Sequence, residues 1–154
     1  KMVVTDSQAF KQVAAVVPDS LPLTSFSVLM ARAKGPFEEY VKGVEAIGKL
    51  KDGDNVLVLE SCTHHTSCED IGRVKLPAIL RKKFGTELQI DIVGGADYPE
   101  DLTPYDLVIH CGACMFTRRH VLSRVRRAKA QNVPITNYGI AIAALTGILN
   151  KVTI

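Results

Sequence analysis

The sequence predicts an α/β protein: a parallel sheet of about four strands flanked by helices, entered through a shorter α/β stretch. Three observations carry this expectation. Four apolar runs, at 56–59, 88–93, 107–109 and 134–136, have the length and the Val, Leu and Ile content of strands. Helical stretches fall near 76–84, 116–131 and 139–150. Strands alternating with helices favour a parallel sheet covered on both faces, and near-continuous apolar strands suit burial on both sides.

The elements follow in order. Val3-Val4-Thr5 reads as a strand, and a helix follows that Asp6 or Ser7 can cap, with Phe10, Val13, Ala14 and Val17 on one face. "PDSLPL" breaks that helix and leads into Thr24-Ser25-Phe26, a short strand or loop. Residues 27–34 look helical and stop at Gly35. Pro36 suits a first helical turn, and Phe37, Tyr40, Val41, Val44 and Ile47 recur at the spacing of an amphipathic helix. "KDGDN" at 51–55 is turn chemistry and marks a boundary. Residues 1–50 offer no means of completing a sheet, so they read as the end of a domain that begins outside this sequence, or as an element that pairs with another subunit.

Bulk properties bound the function. A chain of 154 residues, 47% hydrophobic, can build one sizeable core plus a remnant. A net charge of +3 is too weak to imply a nucleic-acid or membrane partner, and neither is expected. No run approaches the roughly 20 apolar residues that span a bilayer, and no signal segment is recognisable, so a soluble, cytoplasmic protein is expected. The four cysteines do not sit in a small, loop-rich scaffold, which favours reduced thiols available to a metal.

The unusual residues cluster at strand ends: Glu60-Ser61-Cys62, Gly94-Gly95, His110-Cys111-Gly112-Ala113-Cys114 and Asn137-Tyr138-Gly139. Open parallel sheets bind ligands at the carboxyl ends of their strands. Cys62, Cys111 and Cys114 are therefore expected to converge, and three converging thiolates match a metal or cluster site better than three core thiols do. Cys114 should open a helix, whose dipole would favour charge on sulfur. Arg118 and Arg119 follow, either as further positive charge or as a solvated face. Val121, Leu122, Val125 and Ala128 form the expected buried stripe of that helix.

In an extended chain, residues two apart point the same way. His64 then shares the side of Cys62, whereas His110 faces away from Cys111, which favours His64 as a fourth ligand and His110 as a neighbour. His65 and His120 carry no assigned role; Glu60, Glu69 and Asp70 are weaker oxygen-ligand candidates, and Cys68 is a bystander. On residues alone, three readings stay open: an iron-sulfur site, a structural zinc site on Cys62, His64, Cys111 and Cys114, and a dithiol oxidoreductase through Cys111 and Cys114.

With CxH at 62–64 and HCxxC at 110–114, the chain resembles the carboxy-terminal part of the HydF family, the maturation GTPases of FeFe-hydrogenases. "VVTDSQAF", "PLTSFSVLMARAKG", "EDIGRVKLP", "YPEDL" and "NYGIAIA" read as further family segments. The resemblance implies that residues 1–53 end a dimerisation domain and that 54–154 form a Rossmann-like cluster domain. It implies a 4Fe-4S cluster on Cys62, Cys111 and Cys114, with an exchangeable fourth ligand for which His64 and then His110 are candidates. It also implies a homodimeric scaffold that receives the two-iron H-cluster precursor with help from radical-SAM maturases and delivers it to apo FeFe-hydrogenase. The chain has no GxxxxGK[ST] phosphate loop. GTP would therefore act only through a domain outside this sequence, and this chain is expected not to be an enzyme. Arg118, Arg119, Arg124, Arg126 and Arg127 offer a basic face for docking, against the plainer reading of solvated helix charges.

Overall fold

A computed structural model describes residues 1–6, 9–61 and 70–152. The chain begins with β1 (Val3–Thr5), α1 (Phe10–Val16), β2 (Leu23–Ser25), α2 (Phe26–Lys34) and α3 (Phe37–Ile47). It continues through β3 (Asn55–Leu59), a π-helical turn (Ile71–Lys75), α4 (Leu76–Phe84), β4 (Gln89–Val93) and β5 (Leu107–His110). The last elements are α5 (Arg118–Ala130), β6 (Ile135–Asn137), α6 (Tyr138–Leu145) and a 3-10 turn (Leu149–Lys151).

The α/β expectation holds. The main sheet is four-stranded and parallel throughout, in the order β4-β3-β5-β6, while β1 and β2 form a separate parallel pair. Alternate residues of β3 and β5 divide between the two faces, as the period of two requires. Leu57, Leu59 and Val108 pack with Val121 and Val125 of α5 and with Phe10 and Val28. Val56, Val58, Leu107 and Ile109 pack with Leu76 and Leu80 of α4 and with Ala141 and Ile142 of α6. The apolar runs noted in the sequence are thus two-sided core strands.

Two close approaches join the amino-terminal elements to this sheet. A Cβ on Gly43 would lie 2.1 Å from the Ile135 carbonyl oxygen, so only glycine lets α3 rest directly on β6. Beside it the buried Thr136 hydroxyl donates to the Tyr40 carbonyl at 2.8 Å. The chain end returns to the first pair through a parallel bridge between Leu23 and Val152.

Several local expectations shift. The cap of α1 is Ala9, without a side-chain bond, and Pro36 is the cap of α3 rather than its first helical residue. Ser25 ends β2 and caps α2, accepting from the Val28 N–H at 3.3 Å, so Phe26 is helical. Helix α5 begins at Arg118 under the Thr117 cap, which places Cys114 in the preceding turn and removes the expected helix-dipole contribution at its sulfur. Among the described residues no helix is long and apolar enough to cross a membrane.

Candidate functional site

The carboxyl ends of all four strands of the parallel sheet lie along one edge, and β3 and β5 are neighbours there, with Leu59 paired to His110 and His110 to Asn137. The backbone carries this pairing one step beyond the strands: the Cys111 N–H donates to the Leu59 carbonyl at 2.9 Å, and the Glu60 N–H to the Val93 carbonyl at 2.8 Å. Ser61, the residue before Cys62, thereby comes to lie against Cys111. Its N–H donates to Cys111 Sγ at 3.1 Å, its hydroxyl lies 3.1 Å from the same sulfur, and the Ala113 N–H approaches that sulfur at 3.4 Å. Two backbone donors aimed at one sulfur suit a ligand that carries negative charge.

The loop after β5 has a defined shape. Ala113 is buried and takes a left-handed conformation with φ of 53°, which an L-residue adopts only at a cost. The Phe116 N–H closes a turn on the Ala113 carbonyl at 3.0 Å. Lys34, from α2, holds the loop from outside: its ammonium donates to the carbonyls of Ala113, Cys114 and Phe116 at 2.8, 2.9 and 2.9 Å. Cys111 is half-buried, Cys114 is exposed, and both are free thiols.

His110 is wholly buried, and both its ring nitrogens are engaged. Arginine can only donate, so the 3.2 Å contact from Arg124 Nη1 makes His110 Nε2 the acceptor. Nδ1 then carries the proton and donates to the Cys111 carbonyl at 2.8 Å. Burial lowers the His110 pKa to about 4, opposed by the carbonyl bond and assisted by the Arg124 charge, so the ring is neutral at pH 7. Arg124 is itself buried and also donates to the Gly95 carbonyl. Its guanidinium lies 4.5 Å from the Phe116 ring centroid and 5.3 Å from that of Tyr98.

The segment 95–102 is wrapped onto α5. The Tyr98 hydroxyl donates to the Arg124 carbonyl at 3.0 Å, and Gln131 ties down Leu102 and Glu100. On the other flank Ser27 Oγ donates to Asn137 Oδ1 at 2.9 Å and accepts from the Gly139 N–H at 3.1 Å, while Asn137 Nδ2 reaches the Cys111 carbonyl at 3.4 Å. The buried Glu60 pairs with Arg73 Nε at 2.8 Å. Asp70 caps the π-helical turn, accepting from the Arg73 N–H at 2.9 Å. The Tyr138 hydroxyl is buried with no hydrogen-bond partner among the described residues, and a Cβ on Gly72 would lie 2.2 Å from it and 2.4 Å from Glu60 Oε1.

Of the expected ligands, Cys111 and Cys114 share one loop at the sheet edge. Cys62 and His64 lie outside the described residues, as do His65, Cys68 and Glu69. Among the described residues no three His, Cys, Asp or Glu side chains group closely enough to hold a metal ion. Glu60 is committed to its ion pair and Asp70 to its cap. His120 stacks on Phe116 with centroids 4.1 Å apart. Arg118 and Arg119 are exposed.

Arg124, expected on an exposed basic face, is instead buried, and Lys34 carried no expected role. Arg124 falls three residues after Val121 and four before Ala128, a spacing that placed it on the buried stripe, but its charge argued for solvent. Lys34 acts across almost eighty residues, a separation no local pattern reveals.

Two family models match the chain: the hydrogen maturase F tetramerization domain over residues 38–153 and the hydrogen maturase F dimerization domain over residues 1–35. No curated protein matches it.

Proposed function

The chain belongs to the hydrogen maturase F (HydF) family, and from that premise we propose that it holds a 4Fe-4S cluster at the edge of its parallel sheet and serves as a scaffold in hydrogenase maturation. The observation that carries this reading is the pair of backbone N–H groups, from Ser61 and Ala113, directed at Cys111 Sγ beside the segment that leads into Cys62. Such donors lower the energy of a sulfur bound to iron and help to set a cluster's potential. A second feature agrees: the guanidinium of Arg124, with Nε unpartnered among the described residues, supplies positive charge next to His110.

Cys62, Cys111 and Cys114 would hold the cluster. When bound, it supplies an iron centre with one position open to an exchangeable or bridging ligand. His110 is occupied at both nitrogens, so His64 is the better candidate for that position. The chain's own residues shape the site: Lys34 fixes the loop carbonyls, Ser61 and Ala113 direct their amides at sulfur, and His110 orients the Cys111 carbonyl. We further propose the two-iron H-cluster precursor as cargo, apo FeFe-hydrogenase as its recipient and the radical-SAM maturases as its source. Self-association follows from the kind of domains the chain matches.

Anaerobic reconstitution with iron and sulfide, read by visible absorption and by EPR of the reduced protein, tests the cluster. The expected result is a brown protein with a reduced-cluster EPR signal, lost in Cys62→Ser, Cys111→Ser and Cys114→Ser. A colourless protein holding zinc would replace this reading with the structural zinc site. Cluster loss in Cys68→Ser would change the ligand set. Delivery is tested by incubating loaded protein with apo-hydrogenase and measuring hydrogen evolution; an inactive hydrogenase would remove the delivery role from this chain.

A further inference from the structure

Arg124 is the anomaly of α5. Its neighbours on the same helix, Arg118, Arg119 and Arg126, are exposed, whereas Arg124 is only 2% exposed. A buried cation is normally matched by a carboxylate, because desolvation costs more than ordinary hydrogen bonds return. Among the described residues no carboxylate bonds to Arg124; its partners are the His110 ring, the Gly95 carbonyl and the faces of Phe116 and Tyr98, and Nε has no partner at all. Arg127, whose guanidinium lies 5.1 Å from the Tyr98 ring centroid, adds positive charge and does not relieve it.

The direction of the hydrogen bonds says where the missing anion belongs. Arg124 donates to His110 Nε2, and His110 Nδ1–H donates to the carbonyl of Cys111. The polarisation therefore runs from the guanidinium to the backbone carbonyl of a cysteine of the candidate centre, whose sulfur is faced by the Ser61 and Ala113 amides. A guanidinium is charged at every accessible pH, and in a low-dielectric surrounding its field acts with little screening.

We propose that Arg124 is the built-in countercharge of the cysteine centre: a positioning residue that orients His110 toward Cys111 and raises the reduction potential of the cluster held there. The inference rests on the cluster reading above. One-electron reduction adds one negative charge to the iron-sulfur unit, and a fixed cation nearby favours the reduced state. Burial disfavours the charged form of Arg124, and Cys111 is the strongest influence in the opposite direction, in keeping with this pairing.

The experiment is an EPR-monitored titration of the reconstituted chain, with dithionite as electron donor, comparing wild type with Arg124→Met and Arg124→Lys. Removal of the charge should shift the midpoint potential to more negative values, while Arg124→Lys should stay close to wild type. The same variants without iron are melted in parallel. A residue kept for fold alone would lower the melting temperature and leave the potential unmoved, whereas a countercharge awaiting its anion leaves the iron-free Met variant as stable as wild type or more so. Should Arg124→Met fail to fold, Arg124→Gln, which drops the charge and keeps a donor, carries the comparison. Equal potentials in wild type and the uncharged variant overturn the inference with the cluster reading intact. A wild-type chain that takes up no iron and sulfide overturns both.

Discussion

The ammonium of Lys34 donates to the carbonyl of Cys114 at 2.9 Å, joining the last turn of α2 to the loop that carries the exposed thiol. Two further carbonyls, those of Ala113 and Phe116, complete a tripod around the same nitrogen. Three donors on a compact ammonium match three inward-turned carbonyls, a geometry a planar guanidinium does not reproduce. The loop is thus held in part by a residue of the segment matched by the dimerization-domain model, so its rigidity depends on that segment staying docked.

Lys34→Met should destabilise the iron-free protein by about 1–2 kcal/mol, the scale of charged hydrogen bonds at a half-exposed site. Lys34→Arg should recover only part of that loss. Urea denaturation midpoints at constant m-value give the measurement, and an unchanged midpoint in Lys34→Met would refute the tripod's structural role.

Arg73→Met should be worse than Glu60→Gln. The Glu60 side chain is 6% exposed, so removing Arg73 leaves a buried carboxylate with its ion-pair partner gone, while Glu60→Gln leaves Arg73, 37% exposed, to be solvated. We expect about 2 kcal/mol for Arg73→Met, below the range of a wholly buried pair because Arg73 reaches solvent. Thermal melts of the two variants decide the order.

Acidification should weaken the iron-free protein through His110. The folded pKa of about 4 lies below the ordinary 6.5, so between these values the unfolded chain binds a proton that the native ring does not. Stability is therefore undiminished above pH 6.5 and falls as the pH drops toward 4, by up to about 3 kcal/mol. His110→Gln should flatten this slope in denaturation curves collected across that window.

Ala113→Val should cost about 2 kcal/mol or more. A β-branched side chain is an outlier at φ of 53°, and the site is buried. Loss of the turn that Phe116 closes on Ala113 would also misdirect the Ala113 amide now facing Cys111. Denaturation of the iron-free variant measures the first effect, and iron uptake the second.

The sheet was legible because its strands are unbroken apolar runs and its helices are periodic, signals that survive without tertiary context. The proximity of the β3 and β5 ends was legible too, since parallel strands gather their carboxyl ends on one edge. Other features depended on long-range contacts. Cys114 was expected to open α5, although Thr117 ahead of Val121, Val125 and Ala128 was the better cap signal. Arg124 was read by its charge, and only the packed structure puts Phe116, Tyr98 and His110 around it. Ala113 gave no sign of its left-handed backbone, because alanine is not among the residues, chiefly glycine and asparagine, that usually signal that conformation.

An iron-sulfur cluster on this chain's cysteines is tested most directly by the iron, acid-labile sulfide and zinc content of protein reconstituted with all three available and then desalted anaerobically. A cluster-bearing chain should hold about four iron and four sulfide with little zinc. About one zinc per chain and no sulfide would contradict it.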